Sequence, residues 1–491
     1  MQRITSGTSA PLFEIAASRR IEQAAAAALP PHTLMQRAGL AVARLAMATV
    51  PHARTIWIAC GPGNNGGDGF EAATQLQHRG FAPVVTRIGN DERLPADAAA
   101  SLQRARDAGV RFADAPPASA DLVIDALLGL GAARPPEGPM ADWLRRMHTG
   151  SAPVLSVDTP SGLNADTGVL ALDFLAPAVV RGPGVRRLCL SLLTLKPGLF
   201  TSQGRDAVGE LWFDDLDVMP GAERPTARLP GEPSAVLRPH TSHKGTYGDV
   251  AVIGGAPGMV GAALLAATAA LHAGAGRVYV ASLDTAFSPI DTAQPELMFR
   301  TPDALDLRAM TVVCGCGAGT AVRDPLPRVL QEAHALVLDA DALNAIAADG
   351  ALQTLLVARA RSGHRTVLTP HPLEAARLLG TGAAEVQGDR LRAAQLLSER
   401  FGATIVLKGS GTIVAAAGEV PTINPTGNAR LASAGTGDVL AGMIGAALAA
   451  GQPSVAASRE AVWRHGDLAD HWPTDVPLTA GTLARGWKKA S

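Results

Sequence analysis

Five oxygen-bearing side chains follow three short apolar runs in the first half of the chain. Asn65 and Asp68 lie in GPGNNGGDGF, Asp125 in VIDALLGLG, and Asp158 and Ser161 in VDTPSG. Carboxylate, amide and hydroxyl oxygens are hard ligands, suited to an alkali or alkaline-earth cation rather than zinc. The same groups can hydrogen-bond a polar substrate. Gly61, Gly63 and Gly66 satisfy a G-x-G-x-x-G spacing, and N–H groups at a helix start suit an anion such as a diphosphate. A plain dinucleotide turn has no need of Asn64, Asn65 and Asp68. Any one of these residues can instead cap a helix or shape a turn. Three such groups at three strand ends favour a site.

The second half carries a different set. In SAGTGDVLAGMIGAAL, Gly435, Thr436 and Gly437 precede Asp438 and a run of small apolar residues. Backbone N–H groups there would form an anion hole for a transferring phosphoryl group. Asp438 is placed to accept the proton of an attacking hydroxyl, or else to cap the helix. Lys408-Gly409-Ser410-Gly411-Thr412 separates two strand-like runs. It suits the anionic end of a nucleotide, or else is a hairpin turn with an exposed Lys. His371 follows a strand directly, where it can bond a substrate or serve structure alone. Asp339 and Asp341 end another strand. Cys314 and Cys316 lie two apart in a Gly-rich turn, and no further Cys or His pair completes a zinc pattern, so they read as buried small residues.

These groups need a scaffold that gathers strand ends. Strand-like runs at Thr55–Cys60, Pro83–Ile88, Leu122–Ala126 and Val154–Asp158 alternate with helical stretches. So do Val250–Gly254, Arg277–Ala281, Thr311–Cys314, Ala335–Asp339, Thr366–Thr369, Thr404–Leu407 and Thr412–Ala415. The alternation predicts α/β layers with mostly parallel sheets, whose ligands collect outside the carboxyl ends of the strands. Met219 to Pro233 has four Pro and no apolar periodicity, and reads as a linker. A break near residue 225 gives units 1–225 and 226–491.

Composition narrows the function. Of 491 residues, 43 are Lys or Arg and 44 Asp or Glu, leaving a formal charge of −1. That balance gives no electrostatic footprint for nucleic acid or an anionic membrane. Val250–Gly276 has no charged residue, but Gly254, Gly255, Pro257 and Gly258 cut it into strand, loop and helix. It reads as buried core, with no membrane span. Four Cys make no disulfide framework, and the N-terminus lacks the basic-then-apolar order of an export signal. A cytoplasmic location is expected.

GPGNNGGDG, DALLGLG and VDTPSGLNADTG, with the flanking LPPHTLMQRAG and LKPGL, resemble the N-terminal motifs of the NAD(P)H-hydrate epimerases. The resemblance implies a Rossmann-like αβα domain that interconverts the R and S forms of NADHX and NADPHX, nicotinamides carrying a hydroxyl at C6. It implies substrate contacts from Asn64, Asn65, Gly66, Gly67 and Asp68, and from Gly129, Leu130, Gly131, Ala132, Ala133, Arg134 and Pro135. Asp158 would bind substrate and handle a proton. Potassium would be held by Asn65, Asp125 and Ser161. Ala176–Leu195 departs from the family's short Asp/Thr-containing strand.

HKGTYGDV, GAA, GCGAG, DADALN, TPHPLE, KGSGT and AGTGDVLAGMI occur in the order found in the ribokinase-like ADP-dependent NAD(P)H-hydrate dehydratases, which the second half resembles. This implies a second three-layer αβα domain. There ADP, accompanied by magnesium, phosphorylates the 6-hydroxyl of the S hydrate, and phosphate leaves to restore NAD(P)H. Lys408, Gly409, Ser410, Gly411, Thr412 and Gly437 would contact the nucleotide. Ala262, Gly319, His371 and Asp438 would contact the hydrate, with Asp438 the base. Arg430, in NPTGNARLASAGTGD, is bulkier than the family's usual approach to AGTGD. A homo-oligomer is expected. The competing readings are a small-molecule kinase that releases its phosphoester, and a non-catalytic binding module in the first half.

Overall fold

Apolar runs of four to six residues between Gly-rich turns form the strands. In Thr55–Cys60, side chains alternate between two faces, as the period of a strand requires. Ile56, Ile58 and Cys60 enter one core with Phe70, Leu76 and Ile124. Trp57 and Ala59 enter a second core with Trp143, which meets Trp57 edge-on at 6.3 Å. A strand apolar on both faces must be covered on both, which makes three layers. This computed structural model describes residues 1–130, 135–171, 185–234, 237–286 and 290–486. The chain splits into two compact units, Met1–Ala227 and Arg228–Ser491.

In the first unit the strands run in the order Gln2–Arg3, Glu210–Asp214, Arg187–Leu192, Val154–Val157, Leu122–Ala126, Thr55–Cys60, Ala82–Arg87, Arg111–Phe112. Gln2–Arg3 is antiparallel to its neighbour, and the others are parallel. Chain order reverses between Thr55–Cys60 and Leu122–Ala126, the switch point at which such a sheet opens a crevice. The stretch Ala176–Leu195, which departs from the family pattern, does contain a strand. Arg187–Leu192 lies parallel to Val154–Val157 and extends the sheet. Its Leu188 and Leu190 join the same core as Ile56.

In the second unit a parallel sheet runs Met298–Phe299, Arg277–Ser282, Asp249–Gly254, Thr311–Cys314, Ala335–Leu338, Arg365–Leu368, Thr404–Leu407. The antiparallel strands Ile413–Ala415 and Thr422–Ile423 follow. Here the switch point lies between Asp249–Gly254 and Thr311–Cys314. The helices Val260–His272 and Thr436–Ala449 pack closely because their contact is made of small residues. A Cβ on Gly442 would lie 2.0 Å from the Ala266 carbonyl oxygen. The uncharged stretch 250–276 becomes a strand and this 13-residue helix. No described helix is long and apolar enough to cross a membrane. The Pro-rich stretch read as a linker is not wholly irregular. Ala227–Pro230 is a strand, and its Arg228 aligns parallel with Thr422.

Candidate active sites of the two units

The helix Asn64–Gln77 starts directly behind the first switch-point strand. It can do so only because its turn is glycine. A Cβ on Gly61 would fall 1.7 Å from the Leu127 carbonyl oxygen, and one on Gly66 2.1 Å from that of Gly61. Gly67 abuts Met35 and Ala98. Gly66 and Gly67 thus seat the helix, while Asn64, Asn65 and Asp68 line a cavity of about 660 Å³. Gly129, Leu130 and Asp158 line the same cavity. Pro135 is exposed and outside it, and Gly131, Ala132, Ala133 and Arg134 lie outside the described residues.

Asp125 and Ser161 sit together beneath this rim. Ser161 donates its hydroxyl to Asp125 Oδ1 at 2.6 Å and its N–H to Oδ2 at 3.0 Å. The Leu128 N–H donates to Ser161 Oγ at 2.8 Å. Asp125 is 3% exposed, makes no ion pair with a described residue, and burial raises its pKa. Asn65 is also buried, and its Nδ2 has no partner among the described residues. A buried carboxylate without a counter-charge, a serine hydroxyl and the Asn65 amide oxygen are hard oxygens that fit a monovalent cation, whereas the Asn65 Nδ2 is a hydrogen-bond donor that calls for an acceptor.

Asp158 ends its strand with φ +66°, a conformation rare for a residue with a side chain. Its Oδ1 accepts from the Leu192 N–H at 3.1 Å and from Lys196 Nζ. Lys196 also donates to the Leu192 carbonyl at 2.8 Å and to Ser191 Oγ at 3.2 Å. Its side chain is 1% exposed. This lysine was not singled out in the sequence, although it stands in the LKPGL motif. A fully buried Lys needs a partner, and its position 38 residues after Asp158 gave no local sign of one. Asp68 differs. Its carboxyl makes no hydrogen bond or ion pair with a described residue. Burial, reinforced by the charges of Asp158 and Glu22, raises its pKa well above the usual carboxylate value.

At the second rim, Gly435 (φ +90°) precedes the helix Thr436–Ala449, and Asp438 is in its first turn. Lys408 donates to Asp339 Oδ1 at 2.7 Å and lies 4.0 Å from Glu374 Oε2. It also reaches the helix start, since a Cβ on Gly437 would lie 3.3 Å from its Nζ. Gly409 and Gly411 have φ of +133° and +65°, so this turn requires glycine. The guanidinium of buried Arg390 fixes the turn from behind, donating to the Leu407 and Lys408 carbonyls. Thr412 closes it with a hydroxyl bond to the Gly409 carbonyl at 3.1 Å. Ser410 lies at its exposed tip.

Asp438 is crowded by acid. Burial, then the charge of Asp339, raises its pKa to about 6. Cys316, Asp339 and Asp438 place ligand atoms within 4.8 Å of one another, so Cys316 stands in the acidic cluster although both Cys314 and Cys316 are fully buried. Gly319 gives its N–H to Asp341 Oδ2 at 2.7 Å. Ala262 packs beside Gly317 in the neighbouring loop. His371 caps the helix Pro372–Leu379: its Nδ1 accepts from the N–H groups of Leu373 and Glu374, and its Nε2 lies 3.2 Å from Glu374 Oε1. Arg430 leaves the approach loop by donating to the Trp472 carbonyl at 2.8 Å.

Residues 250–485 match the family model described as NAD(P)H-hydrate dehydratase, and residues 31–198 the model described as YjeF-related protein N-terminus. The chain is 37% identical over 455 residues to a bifunctional NAD(P)H-hydrate repair enzyme of Escherichia coli K12, covering 89% of this chain and 85% of that one. It is 45% identical over 255 residues to an ADP-dependent (S)-NAD(P)H-hydrate dehydratase of Neisseria meningitidis, covering 50% of this chain and 84% of the other. Among solved structures, an ADP/ATP-dependent NAD(P)H-hydrate dehydratase from Bacillus subtilis, co-crystallised with ATP and Mg2+, aligns with a TM-score of 0.43 at 28% identity. It covers 51% of this chain and 92% of that one.

Proposed function

The chain belongs to the bifunctional NAD(P)H-hydrate repair enzymes, and from that premise we propose how its two rims divide the work. The unit Met1–Ala227 interconverts R and S hydrates, and the unit Arg228–Ser491 dehydrates the S hydrate at the expense of ADP. The observation that carries this division is the pairing at the second rim of Lys408 with the helix start that bears Asp438. A cation facing free helix N–H groups suits the phosphates of a nucleotide, and a carboxylate one residue beyond Gly437 suits the attacking hydroxyl. Asp438 takes the proton of the 6-hydroxyl as its oxygen attacks the terminal phosphorus of ADP. The bond to AMP breaks, and the 6-phosphate then leaves as a proton is lost from C5. Gly319, Ala262 and His371 border the hydrate, His371 with its Nδ1 on the helix cap and its Nε2 beside Glu374.

In the first unit, Asn65, Asp125 and Ser161 are the residues that would hold potassium, which supplies a fixed positive charge under the rim. Asn64, Asp68, Gly129, Leu130 and Asp158 border the nicotinamide. Magnesium arrives with the nucleotide phosphates. The Cys316–Asp339–Asp438 group suits a resident magnesium poorly, because one donor is sulfur and Lys408 already occupies Asp339. Four buried cysteines without a disulfide suit a reducing, cytoplasmic compartment. A homo-oligomer belongs to the same proposal, and light scattering decides it.

The test is incubation of the full chain with mixed R and S hydrates, with and without ADP, following nicotinamide absorbance. Full recovery with ADP is expected. Recovery of the S half alone would remove the epimerase assignment, and a stable phosphoester without absorbance would replace dehydration by simple kinase chemistry.

A further inference from the structure

Four carboxylates face the cavity of the first unit. Glu22 comes from the helix Ile15–Ala28, Asp97 from Ala96–Asp107, Asp68 from Asn64–Gln77, and Asp158 from its strand end. They do not share one environment. Asp158 is held by Lys196 and the Leu192 N–H. Asp97 is bonded by His32 at 2.5 Å. Glu71, on the Asp68 helix but turned away, is paired with Arg104 at 2.8 Å. Asp68 has no such partner among the described residues, and every charge acting on it with appreciable strength is negative: Asp158, Glu22, Glu71 and Asp97. Glu22 is the other carboxyl kept toward its neutral form, but Lys196 works against that effect.

We propose that Asp68 is a second catalytic residue of the first unit, the proton donor that works against the Asp158 carboxylate fixed by Lys196. The proposal rests on the epimerase reading of this unit and deepens it. Two carboxyls in one cavity, one with a cation and one without, are the arrangement that separates an acid from a base. The chemistry at C6 needs both. The Asp68 carboxyl gives its proton to the C6 hydroxyl, and the C6–O bond breaks with its electron pair leaving as water. The N1 lone pair forms a C6=N1 iminium. A solvent water adds to the opposite face of C6, the electron pair returns to N1, and the excess proton of that water passes to the Asp158 carboxylate. One water leaves and one enters. Asp68 is then ionised and Asp158 protonated, and exchange with solvent restores the starting state. Desolvation and the surrounding negative charges, which favour the protonated Asp68 carboxyl, follow from the same geometry.

The test uses the full chain and pure R hydrate without ADP, with R and S separated by chromatography. Asp68→Asn should lower kcat for epimerisation by about 10²-fold or more. It should also remove the alkaline limb of the pH profile, because the wild-type rate falls as Asp68 loses its proton. Asp158→Asn should lower kcat for epimerisation by a similar factor, about 10²-fold or more, and keep the alkaline limb. Asp68→Glu should recover part of the rate with an alkaline limb present. ADP-dependent turnover of the S hydrate, unchanged in each variant, shows that the chain is folded. An Asp68→Asn chain with more than about a tenth of wild-type kcat, or with its alkaline limb intact, overturns the proposal while the epimerase reading stands. A wild-type chain that dehydrates S but never converts R overturns both.

Discussion

Asp438 is the third residue of its helix, and Gly435 occupies the capping position before it. The capping alternative open in the sequence is therefore not needed. What the carboxyl meets is burial and the charge of Asp339, which together raise its pKa to about 6. A base must be ionised to work, so ADP-dependent dehydration should rise with pH through about 6 and level off above it, as kcat/KM measured from pH 4.5 to 8 will show. Asp438→Asn should lower that activity by about 10²-fold or more while R-to-S conversion continues. Its effect on stability has the opposite sign. The folded pKa lies above the unfolded value near 4, so the wild-type carboxyl favours folding below that value and loses its contribution as pH rises toward 6. The variant should therefore be more stable than wild type at pH 7 by on the order of 2 kcal/mol, and equal to it near pH 3.5. Thermal melts at both pH values decide it. His371 shows the reverse case: the sequence placed it at a strand end, but could not show that its Nδ1 closes a helix.

The elements that carry these groups were legible where a strand is apolar on both faces. Thr55–Cys60, Leu122–Ala126, Thr311–Cys314 and Thr404–Leu407 have the bounds read from sequence. Arg187–Leu192 was hidden because Arg186 and Arg187 open it and a Pro/Gly stretch precedes it. Lys196, just beyond that strand, was hidden with it. Its partner Asp158 is adjacent only once the two parallel strands lie side by side. The glycine-rich turn was legible as a turn but not in its division of labour. Gly61 and Gly63 look equivalent in a G-x-G spacing, yet a Cβ on Gly61 meets the Leu127 carbonyl, and one on Gly63 meets nothing within 4 Å. Gly61→Ala must move backbone and should cost on the order of 3 kcal/mol, abolishing epimerisation while S dehydration persists. Gly63→Ala, with φ −113°, should stay within about 1 kcal/mol of wild type. Denaturant titration of the two variants side by side gives the comparison, and equal losses would mean the turn is not held by that carbonyl.

At the scale of the whole molecule, a net charge of −1 does not preclude binding highly anionic nucleotides. Positive charge is placed locally, by a helix start and Lys408 in one unit and by Lys196 in the other. Each unit also has its own aliphatic core, around Ile56, Ile58 and Leu155 in the first and Val250, Val313 and Ile444 in the second. Separate cores and separate ligands predict separate responses in calorimetry of the full chain. ADP at 100 times its Kd should stabilise one transition by about 2.7 kcal/mol. For a unit of this size that corresponds to a rise of about 5–10 °C. The other transition should not move. Replacing sodium by potassium at constant ionic strength should raise that other transition instead, because Asp125 is a buried carboxylate with no described counter-charge. Asp125→Asn should erase the potassium response and keep the ADP response. A single transition shifted by both ligands would mean that the two units unfold together, and a potassium response that survives Asp125→Asn would move the cation away from the first rim.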